Sequence, residues 1–257
     1  MTPVEPGDRL STLVQLRNRT DVSLGSNWTL FAISSYALWA LLAIVLFTRT
    51  LQPILSFNFV VGLFGTLGFV ASAGLSYFVY SLINRHNKHT AREQELFLEA
   101  LNRARSRTRQ DDVRVLLPLS SAEGEFSKLV QKSHERSAVL WALLAFIPYA
   151  GWIFLVISLY LLSQDLNAHE HVEQSLLEDI DRMLGASGSS GLPPWTAFQY
   201  PRNSLGYAVA SLLTLGLFSL FWLHEMVRQP QAHFGNHAIF EPSLLQAFPI
   251  PNLGPGV

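Results

Sequence analysis

The chain has 257 residues, and only 14% of them are charged, with 18 Lys and Arg against 19 Asp and Glu. An average globular protein has about 25%. Four long tracts contain no charged residue: residues 22–48, 50–84, 137–164 and 203–224. A soluble enzyme could not hydrate its surface with so few charges in so few places, so this distribution excludes that class and indicates an integral membrane protein.

Four apolar tracts are long enough to cross a membrane, because about 20 helical residues span roughly 30 Å of hydrocarbon. The predicted spans cover residues 30–48, 57–83, 138–162 and 205–223. The first span follows a long polar segment and is not followed by a small-residue cleavage pattern. We therefore expect it to remain as a permanent anchor rather than to act as a cleaved signal sequence.

The third and fourth spans are interrupted near their centres. Pro148 and Gly151 lie in the third, and Thr214, Leu215 and Gly216 lie in the fourth. Central proline and glycine residues kink or break helices. We expect both spans to cross the membrane completely, and the alternative is that each folds back as a re-entrant hairpin.

Lys and Arg are concentrated in residues 84–137, which contain eleven of them. Segments rich in these residues stay on the cytoplasmic side of a cell membrane. The sequence therefore predicts a multi-pass cell-membrane protein with residues 84–137 in the cytoplasm. In that segment the pattern of apolar residues predicts a helix that continues out of the second span. Asp111, Asp112 and Pro118 are expected to end it, and a second helix is predicted from about Ala122.

The predicted fold class is all-α, a polytopic helical membrane protein with about four transmembrane segments and a cytoplasmic helical hairpin. An acidic amphipathic helix is expected after the third span, and an extended chain is expected in the proline-rich tail. The predicted organisation is a polar N-terminal segment (1–28), the first two transmembrane helices (29–83), a basic cytoplasmic hairpin (84–137), the third transmembrane segment (138–162), an acidic amphipathic helix (163–187), a linker (188–203), the fourth transmembrane segment (204–227) and a proline-rich tail (228–257).

Four alternating arginines mark the basic hairpin: Arg103, Arg105, Arg107 and Arg109. They are candidate contacts for anionic lipid or for an acidic partner. The alternative is an ordinary solvated cytoplasmic segment, in which neighbouring acidic residues balance the arginines.

An internal repeat relates residues 80–100 to residues 160–180 by a shift of 80 positions without a gap, and seven of the 21 positions are identical. Each copy is an apolar helix that leaves the membrane through an aromatic residue and continues as Asn-x-His-x-x-x-Glu-Gln-x-Leu. A fainter third copy places Gln231, His233 and His237 where the others have Asn, His and Glu.

The repeated units carry candidate metal ligands, because residues four positions apart share one face of a helix. Imidazole and carboxylate groups suit Zn, Mn or non-haem Fe. The alternative is structural, with Asn and His satisfying nearby helix ends and Glu pairing with His or Arg. Complete crossing by the third span would also place His169 on the opposite side from His89 and His233. The six candidate ligands are His89, Glu93, His169, Glu173, His233 and His237.

The fourth apolar tract also carries a family resemblance, and its pattern consists of Thr214, Gly216, Trp222, Leu223, His233 and Phe234. On these residues, the segment 202–234 resembles a small prokaryotic polytopic membrane domain family of unknown function. Phe221 and Gln231 stand where that family has tyrosine and asparagine. The resemblance implies membrane insertion and no particular activity.

The uncharged spans lack the charged groups on which proton- and ion-coupled transporters depend. Nucleotide-binding and hydrolase motifs are also missing, and a cysteine-free chain can form neither disulfides nor thiolate metal sites. We therefore predict a non-enzymatic accessory or scaffold subunit, with no catalytic residue. Its expected partners are the lipid bilayer and other membrane subunits or copies of itself, and no nucleic acid.

Two alternatives to the scaffold function remain. One is a membrane-surface metal-binding protein or metalloenzyme built on the repeated units, and the other is a channel or facilitator for a small neutral solute. No cofactor is predicted apart from the divalent metal that the first alternative would require.

Overall fold

The structure of the chain is a computed structural model. It describes residues 8–22, 24, 57–148, 150–195 and 203–249, together with residues 30, 33–34, 37–38, 40–41 and 43–44 of the first predicted span. The described residues form helices and no strand, which confirms the all-α class. The helices are α1 (Arg9–Thr20), α2 (Phe57–Arg107), α3 (Val113–Lys132), α4 (Ala138–Phe146), α5 (Gly151–Ala186), α6 (Ser204–Leu213) and α7 (Leu217–Ala247).

Two helices, α2 with 51 residues and α5 with 36, are long and apolar enough in their N-terminal parts to cross a membrane. Helix α2 continues without a break past the end of the predicted second span, as far as Arg107. At 1.5 Å per residue it is about 77 Å long, which is far more than the hydrocarbon thickness. Its C-terminal half therefore belongs to the polar part of the protein, as predicted.

The third apolar segment is a helical hairpin rather than one long helix. Helix α4 runs antiparallel to α2, with the rings of Phe69 and Phe146 in contact and the hydroxyl of Ser76 donating to the carbonyl of Ala142. The chain then reverses, with the backbone N–H of Gly151 donating to the carbonyl of Ile147, and returns as α5. At Gly151 the turn is so tight that a Cβ atom would lie 2.2 Å from the carbonyl oxygen of Ala145.

The fourth apolar segment is a second hairpin of the same kind. Helix α6 ends at Leu213, and the backbone reverses through Leu215 and Gly216, whose φ angles of 50° and 92° lie in the left-handed region. The ring of Tyr207 packs against that of Trp222 across the hairpin, which shows that α6 and α7 are antiparallel.

The structure thus has the fold-back alternative for residues 138–162 and 205–223, in place of the complete crossings that we expected. The physical reason is the length of the outgoing helices. With 9 and 10 residues, α4 and α6 are about 14–15 Å long, half of what a crossing requires. Because each hairpin returns the chain to the end at which it started, α2, α5 and α7 run parallel to one another.

The polar part is a bundle of α1, α3 and the C-terminal parts of α2, α5 and α7 around one apolar core. Helix α3 begins at Val113, earlier than the predicted Ala122, and contains Pro118. The proline does not break this helix because Val115, Leu119, Ala122 and Leu129 form a continuous buried face.

The tail after Phe240, which we expected to be extended or disordered, is helical as far as Ala247. Pro230 and Pro242 lie inside α7, where each removes one backbone hydrogen bond. Burial of Phe240 and Leu244 in the core of the polar bundle compensates for this loss. The end of the tail, residues 250–257, lies outside the described residues, as do the linker residues 196–202 and most of the first predicted span.

Candidate metal centre

The six histidine and glutamate residues singled out by the repeat converge in the structure. Helices α2, α5 and α7 each contribute two of them, four positions apart, so that both side chains point to the common axis of the three helices. All six are buried, and Glu93, Glu173 and His237 are completely inaccessible. The cluster lies between the apolar core of the two hairpins and the apolar core of the polar bundle.

The imidazole rings meet through their Nε2 atoms. The Nε2 atom of His233 lies 3.1 Å from that of His89 and 3.0 Å from that of His237. Two nitrogens bound to one metal at about 2.1 Å are about 3.0 Å apart at a right angle and about 3.4 Å apart in a tetrahedron. The observed spacing therefore suits neighbouring ligands of a six-coordinate ion.

Each of these three rings turns its Nδ1 atom toward a carboxylate. Such outer carboxylates fix the tautomer and the orientation of metal-binding histidines. With the proton on Nδ1, the lone pair of Nε2 points toward the centre of the cluster. His89 is hydrogen-bonded to Asp21 at 2.9 Å, and His237 is hydrogen-bonded to Glu241 at 3.0 Å. The Nδ1 atom of His233 lies 2.9 Å from Glu170, but the direction of that contact is not that of a hydrogen bond.

One proton at the Nε2 atom of His233 cannot bind both of its imidazole neighbours. That atom has two imidazole nitrogens within 3.1 Å, but it has a single lone pair or a single proton with which to bind them. When His89 and His233 both carry the proton on Nδ1, their two Nε2 lone pairs face each other. A cation among the three nitrogens would accept all three lone pairs at once.

The two buried glutamates complete the donor set. Glu93 Oε2 lies 2.7 Å from His169 Nε2, and Glu173 Oε1 lies 3.1 Å from His237 Nε2. The angles of these two contacts are outside the range of a hydrogen bond. Both carboxylate oxygens of Glu93 and both of Glu173 are therefore buried without a hydrogen bond among the described residues. Four groups of three donors from the six residues lie within 4.8 Å of one another, so the cluster could hold a metal ion.

Buried ion pairs anchor the outer carboxylates. Arg92 lies 3.0 Å from Asp21 and 2.8 Å from Glu241, and it also donates to the backbone carbonyl of Leu13. Arg17 of α1 donates to the carbonyl of His237. Through these contacts α1 fixes the orientation of the rings on α2 and α7.

The electrostatics of the cluster depend on close pairs of opposite charge. Burial by itself would lower the pKa of His169 and His237, but Glu93 and Glu173 raise them to about 9 and about 10 respectively. Burial would likewise raise the pKa of Glu93, but His169 holds it at about 2. Without a metal, two imidazolium–carboxylate pairs therefore balance the charge, and a divalent cation can replace those two protons.

The sequence did not identify the outer groups. Glu241 follows His237 by four residues and so continues the helical spacing of the ligands, which is a signal that the sequence does contain. Asp21 and Glu170 lie outside the repeated pattern and reach the cluster only through tertiary packing. Trp195 was also missed, and its indole ring lies 5.8 Å from the rings of both His233 and His237.

Three of the four arginines predicted to contact lipid or a partner make contacts within the chain. Arg103 and Arg105 pair with carboxylates, and Arg107 donates to backbone carbonyls at the end of α7. Arg109 lines a cleft of about 380 Å³ at the far end of the polar bundle. The carboxylates are those of Asp8, Glu99 and Glu123.

No family model, curated protein or solved structure matches the chain. The resemblance of residues 202–234 to a membrane domain family therefore stays a prediction. The function has to be inferred from the geometry of the chain itself.

The raised pKa values predict how pH affects stability after metal is removed with a chelator. The stabilisation from protonated His169 and His237 is complete below pH 6.5 and is lost as the pH rises through about 9 and about 10. The melting temperature of the chelated protein should therefore fall between pH 7 and pH 9.5.

The control is Glu93→Gln, which removes the charge that raises the pKa of His169 and should flatten this dependence. A melting temperature that rises over the same interval in the unmodified protein would contradict the assignment.

Proposed function

We propose that this protein is a non-enzymatic integral membrane protein that binds one divalent transition metal ion at the cytoplasmic surface. The observation that carries the proposal is the convergence of three Nε2 atoms whose rings each have a carboxylate oxygen within 3.0 Å of Nδ1. Such a combination of inner and outer groups is typical of metal sites.

The membrane part of the proposal is supported by the exposed surface of the two hairpins. The half of the protein that contains the two hairpins has many large apolar side chains on its surface. At the tip of the second hairpin, Leu213 and Leu215 are 80% and 77% exposed. Apolar patches of this extent are rare on soluble proteins and mark contact with lipid or another chain. Further examples on α2, α4, α5 and α7 are Phe59, Leu67, Val70, Leu143, Ile153 and Phe221.

The distribution of basic residues supports one orientation. Helix α1 packs into the polar bundle, and both hairpins return the chain to that same end. With this topology, Arg49 alone lies between the first and second predicted spans, on one side of the membrane. The other 17 of the 18 Lys and Arg residues lie on the opposite side, together with the polar bundle. Under the positive-inside rule the metal cluster lies on the cytoplasmic side.

The donor set supports metal binding rather than catalysis. Four imidazoles and two carboxylates suffice to fill an octahedral ion, whereas catalytic metal sites keep a position open for substrate. A bound divalent metal would supply positive charge and Lewis acidity. Because the ligands come from three helices, the ion would cross-link α2, α5 and α7 in the way that structural metals stabilise a fold.

This proposal unites two of the functions weighed from the sequence. A metal-holding protein without catalysis is compatible with an accessory or scaffold role in a membrane assembly, which stays a prediction. The prediction of a channel or facilitator also stays untested, and no feature of the described cluster favours it.

Metal analysis tests the central part of the proposal. The protein, purified in mild detergent without added chelator, should contain about one equivalent of a divalent transition metal per chain. His89→Ala and His233→Ala should each reduce this severalfold or more. His171→Ala is the matched control, because His171 lies on the exposed face of α5 and should not matter. Less than about a tenth of an equivalent in the unmodified protein after loading would contradict the proposal.

Site-directed labelling tests the orientation, since the chain has no cysteine of its own. Ser120→Cys on α3 and His171→Cys on α5 should react with an impermeant maleimide from the cytoplasmic side alone. Leu213→Cys, at the tip of the second hairpin, should be protected from both sides by lipid. Reaction of His171→Cys from the side opposite to Ser120→Cys would rule out the shared orientation, and ready labelling of Leu213→Cys in intact membranes would rule out burial in lipid.

A further inference from the structure

A cleft of about 580 Å³ opens beside the metal cluster, between α2 and the segment that joins α3 to α4. It lies where α2 passes from its apolar half to its polar half. Its mouth carries the exposed side chains of His134 and Glu135, and its inner wall contains His86 and Thr90 of α2. Lys88 and Glu135 both line the cleft, so their opposite charges cancel. A cation would therefore be bound there by the ligand atoms of individual side chains and not by an overall negative charge.

His86 connects the cleft with the cluster. Its side chain is only 8% exposed, and its ring lies 6.4 Å from the ring of His169 between centroids. Two imidazoles that share one metal have centroids up to about 6.4 Å apart, since each nitrogen binds at about 2.1 Å. An ion bound by His86 is therefore one ligand exchange away from His169.

The inner wall of the cleft carries polar side chains. The buried ring of His86 lines it, and Thr90, one turn further along, has a buried hydroxyl without a hydrogen-bond partner among the described residues. A polar wall with free donor and acceptor atoms fits a path for a hydrated ion.

Described residues cover three other sides of the cluster. Trp195 covers His233 and His237 from one side. The buried side chains of Trp222 and Met226 belong to the apolar core of the hairpins, which seals the side facing the membrane. On the α1 side, the ion pairs of Arg92 fill the space.

We propose that the cleft is the path by which the divalent cation reaches and leaves the centre, with His86 binding it in transit between the mouth and His169. This inference rests on the proposed metal-binding function. It adds a transient metal-binding position at His86, which the ion would reach past His134 and Glu135 at the mouth. Removing His86 should change how fast the ion moves and leave the occupied centre intact.

Uptake kinetics test this proposal on the full-length protein in detergent, after the resident metal has been removed with a chelator. The probe is Co²⁺, whose visible absorption reports binding to the protein during rapid mixing. His86→Ala should slow both Co²⁺ uptake and its removal by chelator about tenfold, with the final spectrum and stoichiometry unchanged. His171→Ala is the control and should behave like the unmodified protein.

A second pair of variants tests the path without altering a ligand. Ala91→Trp narrows the cleft, which Ala91 lines, and should slow uptake with an unchanged final spectrum. Leu98→Trp adds the same bulk at an exposed position of α2 outside the cleft lining and should have no effect.

The possible results distinguish a failure of the proposed entry path from a failure of the proposed metal centre. Uptake at the normal rate in both His86→Ala and Ala91→Trp would overturn the path, as would faster uptake in Trp195→Ala with no effect of His86→Ala. Loss of the final Co²⁺ spectrum in His86→Ala would also overturn it, because His86 would then be a permanent ligand. Absence of Co²⁺ binding by the unmodified protein would refute the metal centre itself.

Discussion

The structure depends on how four imidazoles and two carboxylates are kept inside an apolar environment. Burial of an ionised group is costly unless an opposite charge and hydrogen bonds compensate for it. Here the compensation comes in two layers, with inner donors facing one another and with Asp21 and Glu241 of the outer layer held by Arg92. The inner layer needs positive charge at its centre, which two protons supply and which a divalent metal could supply in their place.

The two hairpins allow the three repeated units to meet at one buried cluster. The repeated units begin at His89, His169 and His233, so they are 80 and 64 residues apart in sequence. They can meet only if every unit leaves the apolar region at the same end and in the same direction. A helix that enters and turns back at Gly151 or Gly216 achieves this, because it restores the direction of the chain for the next unit. A complete crossing would reverse that direction.

Much of the arrangement was predictable from the sequence. The all-α class and the continuation of α2 from its apolar part into residues 84–107 follow from charge-free tracts and helical periodicity, which are local properties. The repeat singled out all six residues of the cluster because identical side chains on equivalent helices can meet around one axis. The sequence could not decide between crossing and folding back, since Pro148 and Gly216 are compatible with a kink as well as with a turn. Asp21 and Glu170 were missed because tertiary packing alone brings them to the rings.

X-ray absorption at the edge of the bound metal tests the central claim most directly, because it counts the ligands and recognises imidazole by its outer-atom scattering. The account predicts a six-coordinate shell of nitrogen and oxygen at about 2.1 Å with at least three imidazoles. Loss of one imidazole in His233→Ala, with the rest of the shell retained, would agree with the geometry. A shell of oxygen atoms alone, without imidazole scattering, would contradict it.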